Sequence, residues 1–215
     1  MNGVSRHFRR KRMRRFIGEF GITSATRILD VGGVPGYWRM LPQPPRVVIL
    51  NMPRAKAEIS ASGGAVDGLV EEWVAADARC LPFGDRSFDI VFSNSVIEHV
   101  GDAASQEKFA REVARVGRGY WVQTPNRWFP VEPHLLTPFV HWLPKSWQRV
   151  LVPHGTVWGA LARVTPDQRQ FYLQHYLRDI RLLGFREMRR LFPEASLIRE
   201  RFLGSTKSLV ALRRP

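Results

Sequence analysis

Apolar residues gather in five short runs: Arg27–Val31, Val47–Asn51, Trp73–Ala76, Asp89–Ser93 and Tyr120–Thr124. Each is largely apolar on both faces and gives way to small or polar residues, the pattern of a buried parallel strand with helices on either side. Between the fourth and fifth runs lies "SQEKFAREVARV", Ser105 to Val116, with Phe109, Val113 and Val116 on one stripe and charges elsewhere, which predicts a helix. Near the end, "SLIRERFLG" and "TKSLVALRR" alternate in period two around Gly204-Ser205 and predict an antiparallel hairpin. Strand–helix–strand units followed by a hairpin predict an α/β fold: a doubly wound, Rossmann-like sheet, mostly parallel, with a C-terminal antiparallel hairpin.

The long connection from Pro125 to Ala195, rich in Trp, Pro and His, exceeds what a doubly wound sheet needs. It is expected to form a helical cap over the carboxyl edge of the strands. The expected organisation is therefore a basic N-terminal helical segment (1–26), a Rossmann-like core (27–124), a cap (125–195) and a closing hairpin (196–215).

Composition narrows the setting. A chain of 215 residues with 44% hydrophobic content can bury one core and carry an appended cap. Cys80 is the single cysteine, so no internal disulfide can form, and a reducing, cytoplasmic compartment is expected. No apolar run approaches the roughly 20 residues of a membrane-spanning helix, and no apolar segment follows the basic N-terminus as a secretory signal requires. Of the net charge of +14, half comes from the seven cations of "RHFRRKRMRR", Arg6–Arg15. That segment reads either as a clamp for nucleic acid, a phosphorylated substrate or an anionic surface, or as a helix with a solvated cationic face. In the second reading Phe8, Met13, Phe16, Ile17 and Phe20 pack on the body. The remaining cations are scattered, which argues against a continuous nucleic-acid track.

The first strand runs into a glycine turn, "RILDVGGVPGYW". In a doubly wound sheet ligands bind at the carboxyl ends of the strands. Gly32 and Gly33 leave no side chain in the way, so a ligand can pack on bare backbone there. Asp30 can order the turn or accept from a ligand amine. The spacing G-G-x-x-G, with Pro35 inside it, is not the dinucleotide fingerprint G-x-G-x-x-G.

Further along, "AADARCLPFGDRSFDIVFSNSVIEHV" (Ala75–Val100) and "TPN" follow in order. Together with "LDVGG", these stretches resemble the class I S-adenosylmethionine-dependent methyltransferases, in the broad type-11 group of small-molecule enzymes, from about Arg27 to Asn126. The resemblance implies S-adenosylmethionine as cofactor. It places Asp30, Gly32, Gly33 and Gly36 around the amino-acid end, Asp77 and the Ala78 backbone N–H at the adenine, and Ser93 and Asn94 beside the methionine moiety. Tyr37 or Trp38 either faces the sulfonium through its π cloud or packs in the core. The chain departs from the family at the end of the second strand, where Asn51 stands instead of the Asp or Glu that grips the ribose. An amide oxygen accepts without charge assistance, about 0.5–1.5 instead of 1.5–3 kcal/mol.

Methyl transfer to a hydroxyl needs a base, and His99 in "SVIEHV" is the leading candidate, with Glu98 beside it. The similar quinone-pathway O-methyltransferases carry Glu-x-x-Glu-His there, and some hold a divalent metal on it. Here Ser95 replaces the first carboxylate, so a metal is not favoured; a site on Glu98, His99 and Glu132, or with Asp102, is the residual possibility. The second cluster, "QTPNRWFPVEPHLLTPFVHWLP", supplies Asn126, Trp128, Glu132 and His134 as candidate acceptor-binding residues, with His134 also a candidate base. Its Trp, His and Asn content favours a sugar or glycoside over a phenol or lipid as the small-molecule acceptor. Two further functions are carried forward: an RNA or protein methyltransferase using the basic surface, and a non-catalytic basic binding module. A homodimer through the cap or the hairpin edge is a further expectation.

Overall fold

The computed structural model describes residues 3–34, 38, 41, 45–52, 72–154, 156–157, 170, 173–174, 176–178 and 180–215. Gly36, Tyr37 and much of the later cap lie outside the described residues.

The sheet forms as the patterning predicts. Strands β1 (Arg27–Val31), β2 (Arg46–Asn51), β3 (Glu72–Ala75), β4 (Phe88–Asn94) and β5 (Gly117–Pro125) run parallel, and the order is β3-β2-β1-β4-β5-β9-β8. The order reverses between β1 and β4, which opens a crevice at their carboxyl ends. The short pair β6 (Val131–Glu132) and β7 (Thr137–Pro138) stands apart from this sheet. Strands β8 (Ser196–Phe202) and β9 (Ser205–Arg213) form the closing hairpin, with β9 antiparallel to β5. Leu203 and Gly204 both take positive φ, the two-residue turn whose twist matches that of the flanking strands.

Alternation sorts the side chains into two layers. Leu29, Val31, Val91 and Val122 face α2 (Ala103–Val116) and α4 (Phe185–Leu191), burying Phe109, Val113, Val116 and Met188. Asp102 caps α2 by accepting from the Ser105 backbone N–H at 2.8 Å. Ile28, Ile49, Phe92 and Trp121 face the other way, where α1 (Gly3–Phe20) lays Met13 and Phe16 against them. The basic N-terminal segment is thus an integral helix of the sheet's second face. Its cations divide: Arg10, Lys11, Arg14 and Arg15 are exposed, while Arg12 turns inward.

Two sequence expectations need correction. The link from β3 to β4, residues 76–87, is turns and extended chain rather than a helix, so the strand–helix alternation is interrupted. And α4, which lies within the expected cap of 125–195, packs Met188 into the main core, with Phe192 just beyond it. The cap has its own small core of Leu135, Val140, Val152, Leu173, Tyr176, Ile180 and Leu182, partly supplied by α3 (Lys145–His154).

Candidate active site

Two cavities open at the carboxyl edge of the sheet. The first, about 720 Å³, lies over the ends of β1, β2 and β3 and is walled by Gly32, Asn51, Asp77 and Ala78, with Ser95 and His99 on its far side. The second, about 490 Å³, lies over β4, β5 and β9 and is walled by Asn94, Gln123, Phe129, His134 and Lys207. Ser95 and His99 line both, so the cavities meet there. Each volume is in the range of small-molecule sites.

The first cavity depends on the glycine turn. Gly32 takes φ of +74°, and a Cβ there would come within 2.4 Å of Val96 Cγ2. A Cβ on Gly33 would fall 1.9 Å from the Asp30 carboxylate. Asp30 itself is buried, accepts from Trp38 Nε1 at 2.8 Å, and lies beneath the turn; burial pushes its pKa up to about 7, with the Trp38 bond opposing. Of its two sequence-stated roles, ordering the turn is the one its contacts perform. Trp38 is fully buried in the α1 layer, so it faces Asp30 and Phe92 rather than an open cavity. Asn51 donates from Nδ2 to the Gly33 carbonyl at 3.1 Å and accepts the Met52 N–H at 2.8 Å. The departure from Asp or Glu therefore has a local cause: a carboxylate cannot donate to that carbonyl. Asp77 is held by Arg79 through the side chain and the backbone N–H, chiefly a hydrogen bond that outweighs partial burial and lowers its pKa. Ser93 is buried and donates to the Val31 carbonyl at 3.2 Å, tying β4 to β1.

A nucleoside-sized group fits this cavity: bare backbone at Gly32, an acceptor at Asp77, the Ala78 edge, and the Asn51 side chain at the end of β2.

The junction carries the titratable groups. Ser95 follows β4 with φ of +59°, a strained value for serine, fixed by its N–H on the Gln123 carbonyl (3.0 Å) and its hydroxyl on the Gln123 side chain (3.0 Å). His99 ends a 3₁₀ turn, Ile97–His99, rather than beginning a helix. Its Nε2 lies 3.3 Å from His134 Nε2, with the rings edge to face. His134 Nδ1 is 2.7 Å from Glu132 Oε1, while Glu132 Oε2 accepts the N–H groups of His134 and Leu135. Glu132 is fully buried, so it positions His134 and does not reach the cavity. Desolvation is the largest influence on His134 and opposes its charge, but the Glu132 bond and charge and the charge of Glu98 outweigh it and raise its pKa. Glu98 is fully buried, accepts from Thr124 Oγ1 at 3.0 Å and leaves Oε1 without a partner among the described residues; burial raises its pKa to about 7.

These positions revise the metal set. Glu132 is engaged by His134 and Leu135, whereas Glu98, His99 and His134 place one donor atom each within 4.8 Å of one another. Two acceptor candidates also move. Asn126 donates to the Thr206 carbonyl and accepts the Trp128 N–H, joining β5 to β9. Trp128 is 64% exposed, beside Arg127 and Trp142, outside the second cavity. Among the described residues, the cap tryptophans that favoured a carbohydrate acceptor thus contribute nothing to its walls, whose apolar side includes Phe8, Val34, Pro125, Phe129 and Pro133. Asn94 does line this cavity, its side-chain oxygen held by Arg12 at 2.6 Å.

Ser95, Gln123, Arg9 and Lys207 are site residues the sequence reading missed. The positive φ of Ser95 has no sequence signature, and Lys207 reaches the cleft only through the β5–β9 pairing.

Residues 29–119 match the family model described as a methyltransferase domain. An uncharacterized methyltransferase of Mycobacterium tuberculosis is 38% identical over 73 residues, which is 34% of this chain and 29% of that relative. The chain therefore aligns with less than a third of the length of the curated relatives it matches. The PH0226 protein of Pyrococcus horikoshii superposes with a TM-score of 0.59 at 15% identity, covering 100% of this chain and 92% of that one. A SAM-dependent methyltransferase of Methanosarcina mazei gives 0.56 at 15% identity, covering 92% and 95%. At such identities the superpositions establish the shared fold.

Proposed function

We propose that this chain, whose residues 29–119 match a methyltransferase domain model, is an S-adenosylmethionine-dependent methyltransferase that methylates a hydroxyl of a small-molecule acceptor. The observation that carries the reading is the meeting of a nucleoside-sized cavity and an acceptor-sized cavity at His99, beside His134 and its buried partner Glu132.

Gly32, Asn51, Asp77 and Ala78 would hold the cofactor, which supplies a methyl group on a positively charged sulfur. The chain's own work is alignment and proton removal. Ser95 and His99 form the shared wall, so an acceptor in the second cavity meets the first only past them. Two imidazole nitrogens 3.3 Å apart cannot both carry a proton toward each other, so one lone pair faces the junction. His134 is the base in this reading. Glu132 fixes its Nδ1 as the donor and stabilises the imidazolium that forms, and an acceptor hydroxyl reaches Nε2 by displacing its 3.3 Å contact with His99. The buried Glu98 and Thr124 limit water access around it.

Release of S-adenosylhomocysteine in a panel of hydroxylated acceptors tests the proposal. His134→Ala is expected to lower turnover by about 10²–10⁴-fold, the range of a general base, and unchanged turnover would remove it. Dialysis against a chelator belongs to the same assay. Turnover that survives it supports the histidine base, whereas loss restored by a divalent ion would assign Glu98, His99 and His134 to a metal.

A further inference from the structure

The second cavity is lined by cations as well as by the histidines. Arg9, Arg12 and Lys207 line it, and no carboxylate does among the described residues. These cations differ in what neutralises them. Arg12 meets Glu200 through Nη2 at 2.6 Å and through Nε at 3.0 Å, so its charge is matched within the fold. Lys207 makes no ion pair among the described residues. Its ammonium lies 4.0 Å from the centre of the Phe8 ring and 5.9 Å from that of Phe202. Aromatic faces attract a cation but do not neutralise it. Burial, then the charge of Arg12, lower the Lys207 pKa against the pull of Glu200.

The topology places this charge on the acceptor's side. Ser208 pairs with Pro125 at the open end of β5–β9, and the next carbonyl, that of Lys207, accepts the Asn126 N–H at 2.9 Å. β9 is two strands from β4, about 10 Å at the usual spacing of about 4.8 Å. The first cavity is built on the ends of β1 to β4 instead.

We propose that the acceptor carries an anionic oxygen group, a carboxylate or a phosphate, and that Lys207 is its counter-charge, with Arg9 on the same wall. This rests on the methyl-transfer reading and narrows its substrate class: the acceptor's hydroxyl is presented at His134, its apolar body lies along Phe129 and Pro133, and its anionic end points toward β9. The charge that singled out the N-terminal segment in the sequence thereby acquires a local use through Arg9, at the mouth of a small cleft rather than along a nucleic-acid track.

Calorimetry tests it without knowing the acceptor. Inorganic phosphate and malonate are titrated into the protein saturated with S-adenosylhomocysteine. Both are expected to bind, and Lys207→Met, which keeps the aliphatic stem between Phe8 and Phe202, is expected to weaken them about tenfold or more, as losing one charge-assisted contact does. The exposed Lys11→Met variant is expected to match the wild type. Lys207→Gln serves in its place if thermal melting shows the methionine variant unfolded. Failure of both anions to bind the wild type, or equal binding by Lys207→Met, overturns the proposal. So does a tenfold loss of S-adenosylhomocysteine affinity in Lys207→Met, which would give the charge to the cofactor's own carboxylate. If S-adenosylhomocysteine itself does not bind, the methyltransferase reading fails, while the anion titrations on the protein alone still decide whether Lys207 holds an anion.

Discussion

Replacing Glu132 by Gln removes one negative charge while nearly preserving shape, and its consequence falls on His134. Glu132 is fully buried and accepts three hydrogen bonds: from His134 Nδ1 at 2.7 Å, from the His134 N–H at 2.7 Å and from the Leu135 N–H at 2.6 Å. A hydrogen bond to a charged group contributes about 1.5–3 kcal/mol, and about 1.4 kcal/mol corresponds to one pKa unit. Loss of the charge should therefore weaken the imidazolium by about 1.5–3 kcal/mol and lower the His134 pKa. The groups facing His134, Glu98 and His99, are retained in the variant. Long-range proton–nitrogen spectra of the histidine rings, recorded from pH 5 to 9, read the midpoint directly and need no acceptor. A His134 midpoint that stays in place in Glu132→Gln would refute the assignment of Glu132 as the group that sets its basicity. The linkage has a definite sign. A histidine with a raised folded pKa contributes stability below the unfolded value that is lost as pH rises through the folded value, so the variant should lose most stability on the acid side.

Other perturbations reach different parts of the account. Glu98 has its folded pKa raised to about 7 by burial, so folding is favoured with it protonated, and stability falls as pH rises from about 4.5 to about 7. Glu98→Gln should raise the melting temperature at pH 8 and leave it nearly unchanged at pH 4, as thermal melts followed by circular dichroism would record. Arg12→Met strips Glu200 of its partner in a site where the two side chains are 10% and 16% exposed; a loss of about 3–5 kcal/mol is expected in urea unfolding, with partial recovery in Arg12→Met/Glu200→Gln. Asn51→Asp exchanges a donor for a carboxylate beside the Gly33 carbonyl and should weaken S-adenosylhomocysteine binding in calorimetry; tighter binding would return the ribose-gripping role to this position.

How much of this was legible beforehand varied with the physics behind each feature. Parallel strands buried on both faces leave continuous apolar runs, so β1, β2, β4 and β5 were readable within a few residues, and the period-two alternation gave the hairpin, whose turn lies at Leu203-Gly204, one residue before the expected Gly204-Ser205. The glycine turn, Asp77 and His99 could be read as candidates because their chemistry sits next to a strand end in sequence. Contacts across the fold were not legible. Asn51 looked like a lost carboxylate until its amide was seen on Gly33, and Trp128 looked like a substrate platform until the β5–β9 link turned it to the surface. Lys207 lies more than 100 positions from His99 in the chain and joins the same cleft only through strand pairing. The cap's limit was misread because α4 has the amphipathic character of any surface helix, and nothing local distinguishes packing on the sheet from packing on the cap.

The central claim is that the ends of β1 and β3 hold one nucleoside-bearing cofactor over the sheet. Calorimetric titration with S-adenosylhomocysteine tests it most directly. One molecule should bind per chain, Gly33→Ala should abolish binding by driving a methyl group into the Asp30 carboxylate, and His134→Ala should leave the affinity within about twofold. No heat of binding to the folded wild-type chain, or undiminished binding by Gly33→Ala, would contradict the account.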